Sequence, residues 1–274
     1  MKRMLLYLFL LMSLTSKSQV KMPALSPLQS FRQEFGLGYI EIKYSRPSMR
    51  GRKIFGDLVP FGKIWRTGAN AATSIYFSDP VTINGKNIDT GTYALYLIPQ
   101  EKKWTFILNK GVSNWGTSGY KESDDVMRFD ANVEEIKMPK ETFTMQLANM
   151  KTETCELHIM WEKSSIVVPI STDIKMKLKA RLEAALQTDK KPFYQAAQYY
   201  NEYEKDYSKA LGYSQQAVAA NPDAYWIWLY QAKIQKQLGD IKGAKESSAK
   251  SMEAAKKDDN DDYIKLNEEF QKSL

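Results

Sequence analysis

The residues best suited to chemistry lie in one stretch, residues 45–70, which reads SRPSMRGRKIFGDLVPFGKIWRTGAN. Arginines recur through it, and their planar guanidinium groups suit a carboxylate, a phosphate or a sulfate. Glycines between them offer backbone N–H groups that can complete an anion-binding nest. The stretch therefore predicts a ligand site. Its candidate ligand-binding residues are Arg46, Arg50, Arg52, Asp57, Trp65, Arg66 and Asn70.

Three interpretations of this stretch remain open. In the first, Asp57 and Asn70 orient the arginines or bind a polar ligand, and Trp65 offers a stacking face to an anionic small molecule or a glycan. In the second, the stretch is an active site in which Asp57 is the acid or base and the arginines at 46 and 66 stabilise charge. In the third, the arginines are solvated and the aromatic residues are structural.

The surrounding elements must hold this stretch in place. Pro47, Pro60 and four glycines prevent a helix or a long strand, so we expect a loop laid over a sheet. Its apolar side chains have surface to bury, which favours an ordered loop over a disordered one. A second loop, residues 109–125, carries Trp115 and Tyr120, which could form a sugar-binding platform with Trp65 and Tyr93.

The remaining chemistry is sparse. Cys155 is the sole cysteine and His158 the sole histidine, so an intramolecular disulfide is excluded. Their odd spacing in an apparent strand places the two side chains on opposite faces. No cluster with metal-ligand spacing, phosphate-binding loop or nucleophile elbow occurs, and we predict no metal and no cofactor. A formal charge of +7 does not by itself indicate nucleic acid, and we predict no nucleic-acid partner.

The first eighteen residues have the pattern of a secretory signal peptide. Lys2 and Arg3 precede an apolar run at 4–12, and Ser16-Lys17-Ser18 is a small-x-small site with cleavage after Ser18. The run is too short to span a bilayer, so we predict no transmembrane anchor. The mature protein is expected to be exported, either periplasmic or secreted.

Residues 19–171 have the alternation of strands. We predict strands over 29–34, 39–45, 73–77, 92–98, 104–108, 126–133, 142–147, 154–161 and 165–170, with a hairpin over 81–88 that turns at Asn84-Gly85. Many short strands with turns between them favour an antiparallel sandwich or barrel-like fold.

Residues 172–274 have helical periodicity instead. A period of about 34 residues relates Tyr194 to Trp228 and Ala210 to Ala244, as in tetratricopeptide repeats. We predict helices over 192–204, 207–220, 224–238, 241–256 and 258–274, preceded by one that Thr172 or Asp173 caps. Such arrays present a concave surface, so Tyr194 and Trp228 are candidate residues for binding a protein or peptide partner.

The central stretch also resembles a known family. Ser45-Arg46-Pro47, the run from Gly51 to Pro60, the run from Gly62 to Asn70, and the later Asn84-Gly85 and Gly91-Thr92-Tyr93 are similar to the exported bacterial domain-of-unknown-function family 2911. The resemblance covers about residues 28–170. It implies export and, in some members, helical repeats after the β domain, but no reaction. Ala71 stands where the resemblance leads us to expect an acidic residue.

These inferences predict an α+β two-domain protein: an antiparallel β domain followed by an all-α, tetratricopeptide-like domain. The preferred function is an exported binding protein of unknown ligand. The alternatives are a hydrolase-type enzyme with its active site in residues 46–70, and a structural component of an envelope assembly.

Overall fold

The computed structural model describes residues 22–274. They form two compact units, one ending at Thr172 and one spanning Asp173–Leu274. The predicted signal peptide lies outside the described residues. The first unit is built of antiparallel strands and the second of helices, as the fold-class prediction requires.

Ten strands make up the first unit. They are β1 (Leu28–Phe35), β2 (Gly38–Ser45), β3 (Ala69–Phe77), β4 (Val81–Ile83), β5 (Lys86–Ile88), β6 (Gly91–Pro99), β7 (Lys103–Asn109), β8 (Asp125–Asn132), β9 (Glu134–Ala148) and β10 (Thr154–Ser171). One sheet has the order β1-β2-β3-β6-β7-β8 and the other β5-β4-β10-β9. A single hydrophobic core contains side chains from both sheets.

Burial along the strands explains their register. In β2, Ile40, Ile42 and Tyr44 are buried while Glu41 and Lys43 face outward, which is the period-two pattern of a half-buried strand. In β6, residues 93–97 are all buried. The reason is a second apolar cluster on the outer face of this sheet, formed by Ala94, Tyr96 and Ile107 with Ile64, Ala72, Ile98 and Tyr120.

Two changes of chain direction shape the sandwich. Asn84 and Gly85 have φ values of 47° and 73°, as a two-residue turn of type I′ requires. β10 is eighteen residues long and would span about 60 Å if extended, yet the N–H of Thr172 donates to the carbonyl of Glu153 at 2.9 Å. The strand therefore folds back on itself, and Glu162, with φ of 55°, lies midway.

The second unit contains α1 (Lys175–Ala185), α2 (Phe193–Tyr199), a π-helical turn (Tyr200–Glu204), α3 (Tyr207–Ala220), α4 (Tyr225–Gln237), α5 (Ile241–Lys257) and α6 (Asp261–Lys272). Asp206, Asp240 and Asn260 cap α3, α5 and α6 by accepting from a backbone N–H three residues ahead. At α1, Ile174 occupies the N-cap position, and Asp173 caps the helix from one residue earlier, because its carboxylate accepts from the N–H of Lys175 at 3.0 Å. Within residues 22–274, no helix has both the length and the apolar character needed to cross a membrane.

Candidate functional site

The loop over residues 46–68, between β2 and β3, is pinned to both sheets. Trp65 and Leu97 exchange backbone hydrogen bonds of 2.7 and 2.9 Å, which ties the loop to β6. On the other sheet, the N–H of Met49 donates to the carbonyl of Glu141, and the N–H of Phe143 donates to the carbonyl of Pro47. These long-range bonds give an irregular segment a fixed path.

Three of the candidate arginines donate hydrogen bonds from their guanidinium groups to main-chain carbonyl oxygens. Arg46 donates to the carbonyl of Phe143 at 3.0 Å and to the hydroxyl of Thr144 at 2.9 Å. Arg52 donates to the carbonyls of residues 48 and 49 in its own turn. Arg50 donates to the carbonyl of residue 25. Each of the three guanidinium groups therefore has its own protein acceptors.

Trp65 is in the core instead of facing solvent. Its indole is buried, stacks on Trp161 with ring centroids 5.9 Å apart, and donates its N–H to the carbonyl of Gly68. Phe55 and Phe143 pack edge-on against it. Burial of a ring this large is strongly favourable, and it removes Trp65 as a stacking face for a ligand.

Asp57 lies in the exposed turn that spans residues 54–59. Among residues 22–274, no hydrogen bond or ion pair joins its carboxylate to Arg46 or Arg66. The acid/base interpretation therefore gains no contact that would orient Asp57 toward either arginine.

Arg66 differs from the other arginines. Its Nε is buried and has no hydrogen-bond partner among the described residues. A guanidinium N–H buried without an acceptor is costly, and such groups in native proteins call for an explanation. Gly116 lies against the same side chain: a Cβ built there would be 3.4 Å from Nη1 of Arg66 and 3.9 Å from the carbonyl oxygen of Asn70.

The backbone after Arg66 is held in unfavourable conformations. Thr67 is fully buried with φ of 54°, and Asn70 has φ of 61°. Positive φ is unusual for a β-branched residue and costs of the order of 1–3 kcal/mol. The surroundings enforce it, because the hydroxyl of Thr73 donates to the carbonyl of Thr67 and the side chain of Asn70 donates to the hydroxyl of Ser45. Strain of this kind concentrates at functional sites.

The second loop brings Trp115 beside this turn. Ala71 forms an isolated backbone bridge with Trp115, and the N–H of Ala72 donates to the carbonyl of Asn114. The Trp115 side chain is 71% exposed, which is rare for a tryptophan. Position 71, where the family resemblance predicts an acid, is exposed at the same place.

The other aromatic residues of the expected sugar platform are engaged elsewhere. Tyr93 is buried in the core, and Tyr120 packs on Tyr96. The hydroxyl of Tyr120 donates to Asp125 and accepts from Arg128. Burial, followed by the carboxylate of Asp125, raises the pKa of Tyr120 to about 12. Of the four platform residues, Trp115 alone presents an open ring.

Sequence reasoning missed a cavity of about 740 Å³ at the end of the sandwich where β10 begins and ends. Its lining comes from four separate segments: Thr82, Asn84, Gly85; Phe129; Asn149, Met150, Lys151, Thr154, Cys155, Glu156; and Pro169, Ile170, Ser171. The available signals were the Asn84-Gly85 turn and the alternation of Glu156 with His158, but neither shows that the segments meet.

Glu156 is the fixed polar group of this end cavity. One carboxylate oxygen accepts hydrogen bonds from His158 Nε2 at 2.8 Å and from the amide of Asn149 at 2.7 Å. These bonds, His158 first, lower the pKa of Glu156. Cys155 next to it is buried, and burial raises the pKa of its thiol to about 12, so it is not a nucleophile.

In the helical unit, Tyr194 and Trp228 belong to one cluster with Ala217, Val218, Ala224, Ile227 and Phe193. Both rings are half-buried, and the indole of Trp228 donates to the carbonyl of Pro222 at 2.8 Å. A groove of about 600 Å³ lies elsewhere in this unit, with Tyr200, Tyr213, Lys209, Lys191 and Gly212 in its lining.

Comparison with known proteins gives one family. The model of a family described as a protein of unknown function (DUF2911) matches residues 26–170. A search of curated proteins finds no match to the chain.

Proposed function

We propose that this chain, which belongs to the DUF2911 family, is an exported binding protein whose β domain holds an anionic ligand against Arg66. The ligand class is a small molecule or an acidic glycan that carries a carboxylate, sulfate or phosphate. Arg66, Asn70 and Trp115 form the binding surface, which we call the Arg66 surface. Arg46 supports it by tying the loop to β9.

The observation that carries this proposal is the unpartnered, buried Nε of Arg66. An anion that accepts from Nε and from a terminal nitrogen would satisfy that donor in the bidentate geometry that guanidinium groups favour. Gly116 supports the proposal, because the absence of a side chain there leaves room beside Nη1. Strain at Thr67 supports it as well, since it fixes the backbone between Arg66 and Asn70 before any ligand arrives.

The exposed ring of Trp115 favours an acidic glycan over other anionic ligands. An exposed indole next to a cation offers a stacking face for the apolar side of a sugar ring while Arg66 binds its carboxylate. Trp115 forms a backbone bridge with Ala71, and the next residue, Gly116, lies against the Arg66 side chain.

Calorimetry on the full chain with sulfate, glucuronate and an oligogalacturonate tests the proposal. Arg66→Gln is expected to weaken binding at least tenfold, because it removes charge-assisted hydrogen bonds worth about 1.5–3 kcal/mol. Arg52→Gln is the matched control: Arg52 is in the same loop and its donors are already satisfied by carbonyls of its own turn. Equal affinity in the wild type and Arg66→Gln would contradict the proposal.

The hydrolase alternative predicts turnover instead of simple binding. If Asp57 is the acid or base, Asp57→Asn abolishes cleavage of oligogalacturonate or a model ester while calorimetric binding persists. A binding protein releases the oligosaccharide unchanged. Product analysis by mass spectrometry after prolonged incubation separates the two outcomes.

For the helical unit we propose a protein or peptide partner, as its repeat pattern suggests, with Tyr194 and Trp228 near the contact surface. The support is an exposed aromatic ring, Trp226, which is 38% exposed on α4, the helix that also carries the half-buried Trp228. Crosslinking from a photoreactive residue at position 226 in the exporting cell should give one discrete adduct. The same residue placed at position 245, on the exposed face of α5, is the control. A ladder of products from both positions would contradict a specific partner, and adducts only with envelope lattice proteins would favour the structural-component alternative.

A further inference from the structure

We propose that the end cavity of the β domain, lined by Glu156, Lys151 and Asn149, is a second binding site and takes a neutral sugar of one or two rings. The proposal is independent of the Arg66 surface. The volume of about 740 Å³ lies within the range of small-molecule sites, about 300–1,000 Å³.

The charge of the lining selects a neutral ligand. Lys151 and Glu156 are the two charged residues of the lining, and their opposite charges leave it with no net charge. Both belong to one lining segment, which runs from Asn149 to Glu156. A ligand with a net charge of either sign would lose its hydration without a compensating excess of opposite charge.

The arrangement of donors and acceptors selects hydroxyl groups. Glu156 accepts two hydrogen bonds through one carboxylate oxygen, Oε2, so its other oxygen is left as an acceptor. Lys151, Asn84 and Asn149 bring donors to the same cavity. Each hydroxyl of a sugar is both donor and acceptor, so it can donate to the carboxylate and accept from a neighbouring amide or ammonium group.

The apolar part of the lining suits the carbon face of the same ligand. Phe129 is half-buried, and Pro169, Ile170 and Met150 lie in the lining with it. An aromatic ring with aliphatic neighbours binds the C–H face of a sugar ring, while the polar groups bind its edge.

The cavity is built for binding. The lining supplies one carboxylic acid, whereas glycoside cleavage generally uses two. The sole thiol in it is buried and protonated, which excludes a cysteine nucleophile. Two connections contribute to the lining, the turn at Asn84 and the loop after β9 that begins at Asn149, and these residues have φ values of 47° and 51°.

Saturation-transfer NMR and calorimetry on the full chain test this site. The probes are glucose, galactose, mannose, N-acetylglucosamine and their common disaccharides, with glucuronate and glucosamine as charged counterparts. At least one neutral sugar is expected to bind more tightly than its charged counterparts. Absence of binding for every neutral sugar at millimolar concentration would overturn the proposal.

Two variants test whether neutral sugars bind in the end cavity. Glu156→Gln is expected to weaken neutral-sugar binding about tenfold, because a charged acceptor becomes a neutral one. It also leaves Lys151 uncompensated, so the preference should shift toward glucuronate. Thr154→Trp, which fills the exposed side of the cavity, is expected to abolish binding.

The control is Glu135→Gln, the same change at an exposed residue that pairs with Lys163 outside the cavity. It should leave sugar affinity unchanged, as should Arg66→Gln. Circular dichroism confirms that each variant is folded. Neutral-sugar binding that survives both Glu156→Gln and Thr154→Trp would overturn the proposal even if the Arg66 surface proves correct.

Discussion

At the scale of single residues, arginines of one loop have different roles because their acceptors differ. Arg46 reaches a carbonyl and a hydroxyl on β9, ninety-seven and ninety-eight residues away in sequence. Arg66 has a buried donor and no acceptor within the described residues. The first arrangement stabilises the fold, and the second leaves hydrogen-bonding capacity for a ligand.

Arg46→Ala is therefore predicted to destabilise the β domain by about 1–3 kcal/mol, from the loss of two hydrogen bonds at a partly buried site. Urea unfolding measures this change. Arg52→Ala is the comparison: its bonds are local and exposed, so a change within about 0.5 kcal/mol is expected. Equal effects of the two substitutions would show that the bonds to β9 are not structural.

The lowered pKa of Glu156 predicts that the free energy of unfolding depends on pH. Its pKa is lowered in the folded protein by hydrogen bonds from His158 and Asn149. Its contribution is therefore present above the unfolded pKa, near 4.5, and is lost as pH falls through the lower folded value. The difference in urea midpoint between wild type and Glu156→Gln should be larger near pH 6 than near pH 3. A difference in urea midpoint that is constant from pH 3 to pH 6 would contradict the lowered pKa of Glu156.

At the scale of elements, the sequence predicted most strands because period-two burial is a local property. β2 shows this clearly, with Ile40, Ile42 and Tyr44 inside. The sequence missed the first part of β9, which begins at Glu134, and it divided the single strand β10 into two. The paths of the long loops were not predictable in this way. Whether Trp65 is a stacking face or a core residue depends on Trp161 and Phe143, whose proximity arises only when β9 and β10 close over the loop.

A substitution at Gly212 in α3 tests whether the helix can be stabilised where it lines the groove of the helical unit. A Cβ at this position would meet nothing within 4 Å, and the residue lines the groove in the helical unit. Gly212→Ala is expected to stabilise the helix by about 0.5–1 kcal/mol, since no contact opposes the lower chain entropy.

Gly243 in α5 provides the matched control for that substitution. A Cβ there would clash with a carboxylate oxygen of the helix's own cap residue, Asp240, and with the side-chain amide of Gln235. Gly243→Ala should therefore destabilise the same unit. Thermal unfolding of both variants measures the contrast, and destabilisation by Gly212→Ala would contradict the open space at that position.

At the scale of the whole molecule, the chain divides near residue 172 into a β unit that carries two candidate ligand sites and a helical unit that carries the repeat pattern. The change in periodicity located this division from sequence. The sites themselves were harder to find. The Arg66 surface joins two loops about fifty residues apart, and the end cavity joins four segments between Thr82 and Ser171.

The most direct test of the central claim follows the Nε–H resonance of Arg66 in the full-length protein by 1H–15N NMR, with Arg66→Lys for assignment. On titration with sulfate or glucuronate, this resonance is predicted to move saturably as the buried donor gains an acceptor. The Nε–H of Arg52, which already donates to the carbonyl of Met49, should stay in place. An Arg66 resonance that does not move, or that moves no more than that of Arg52, would contradict the account.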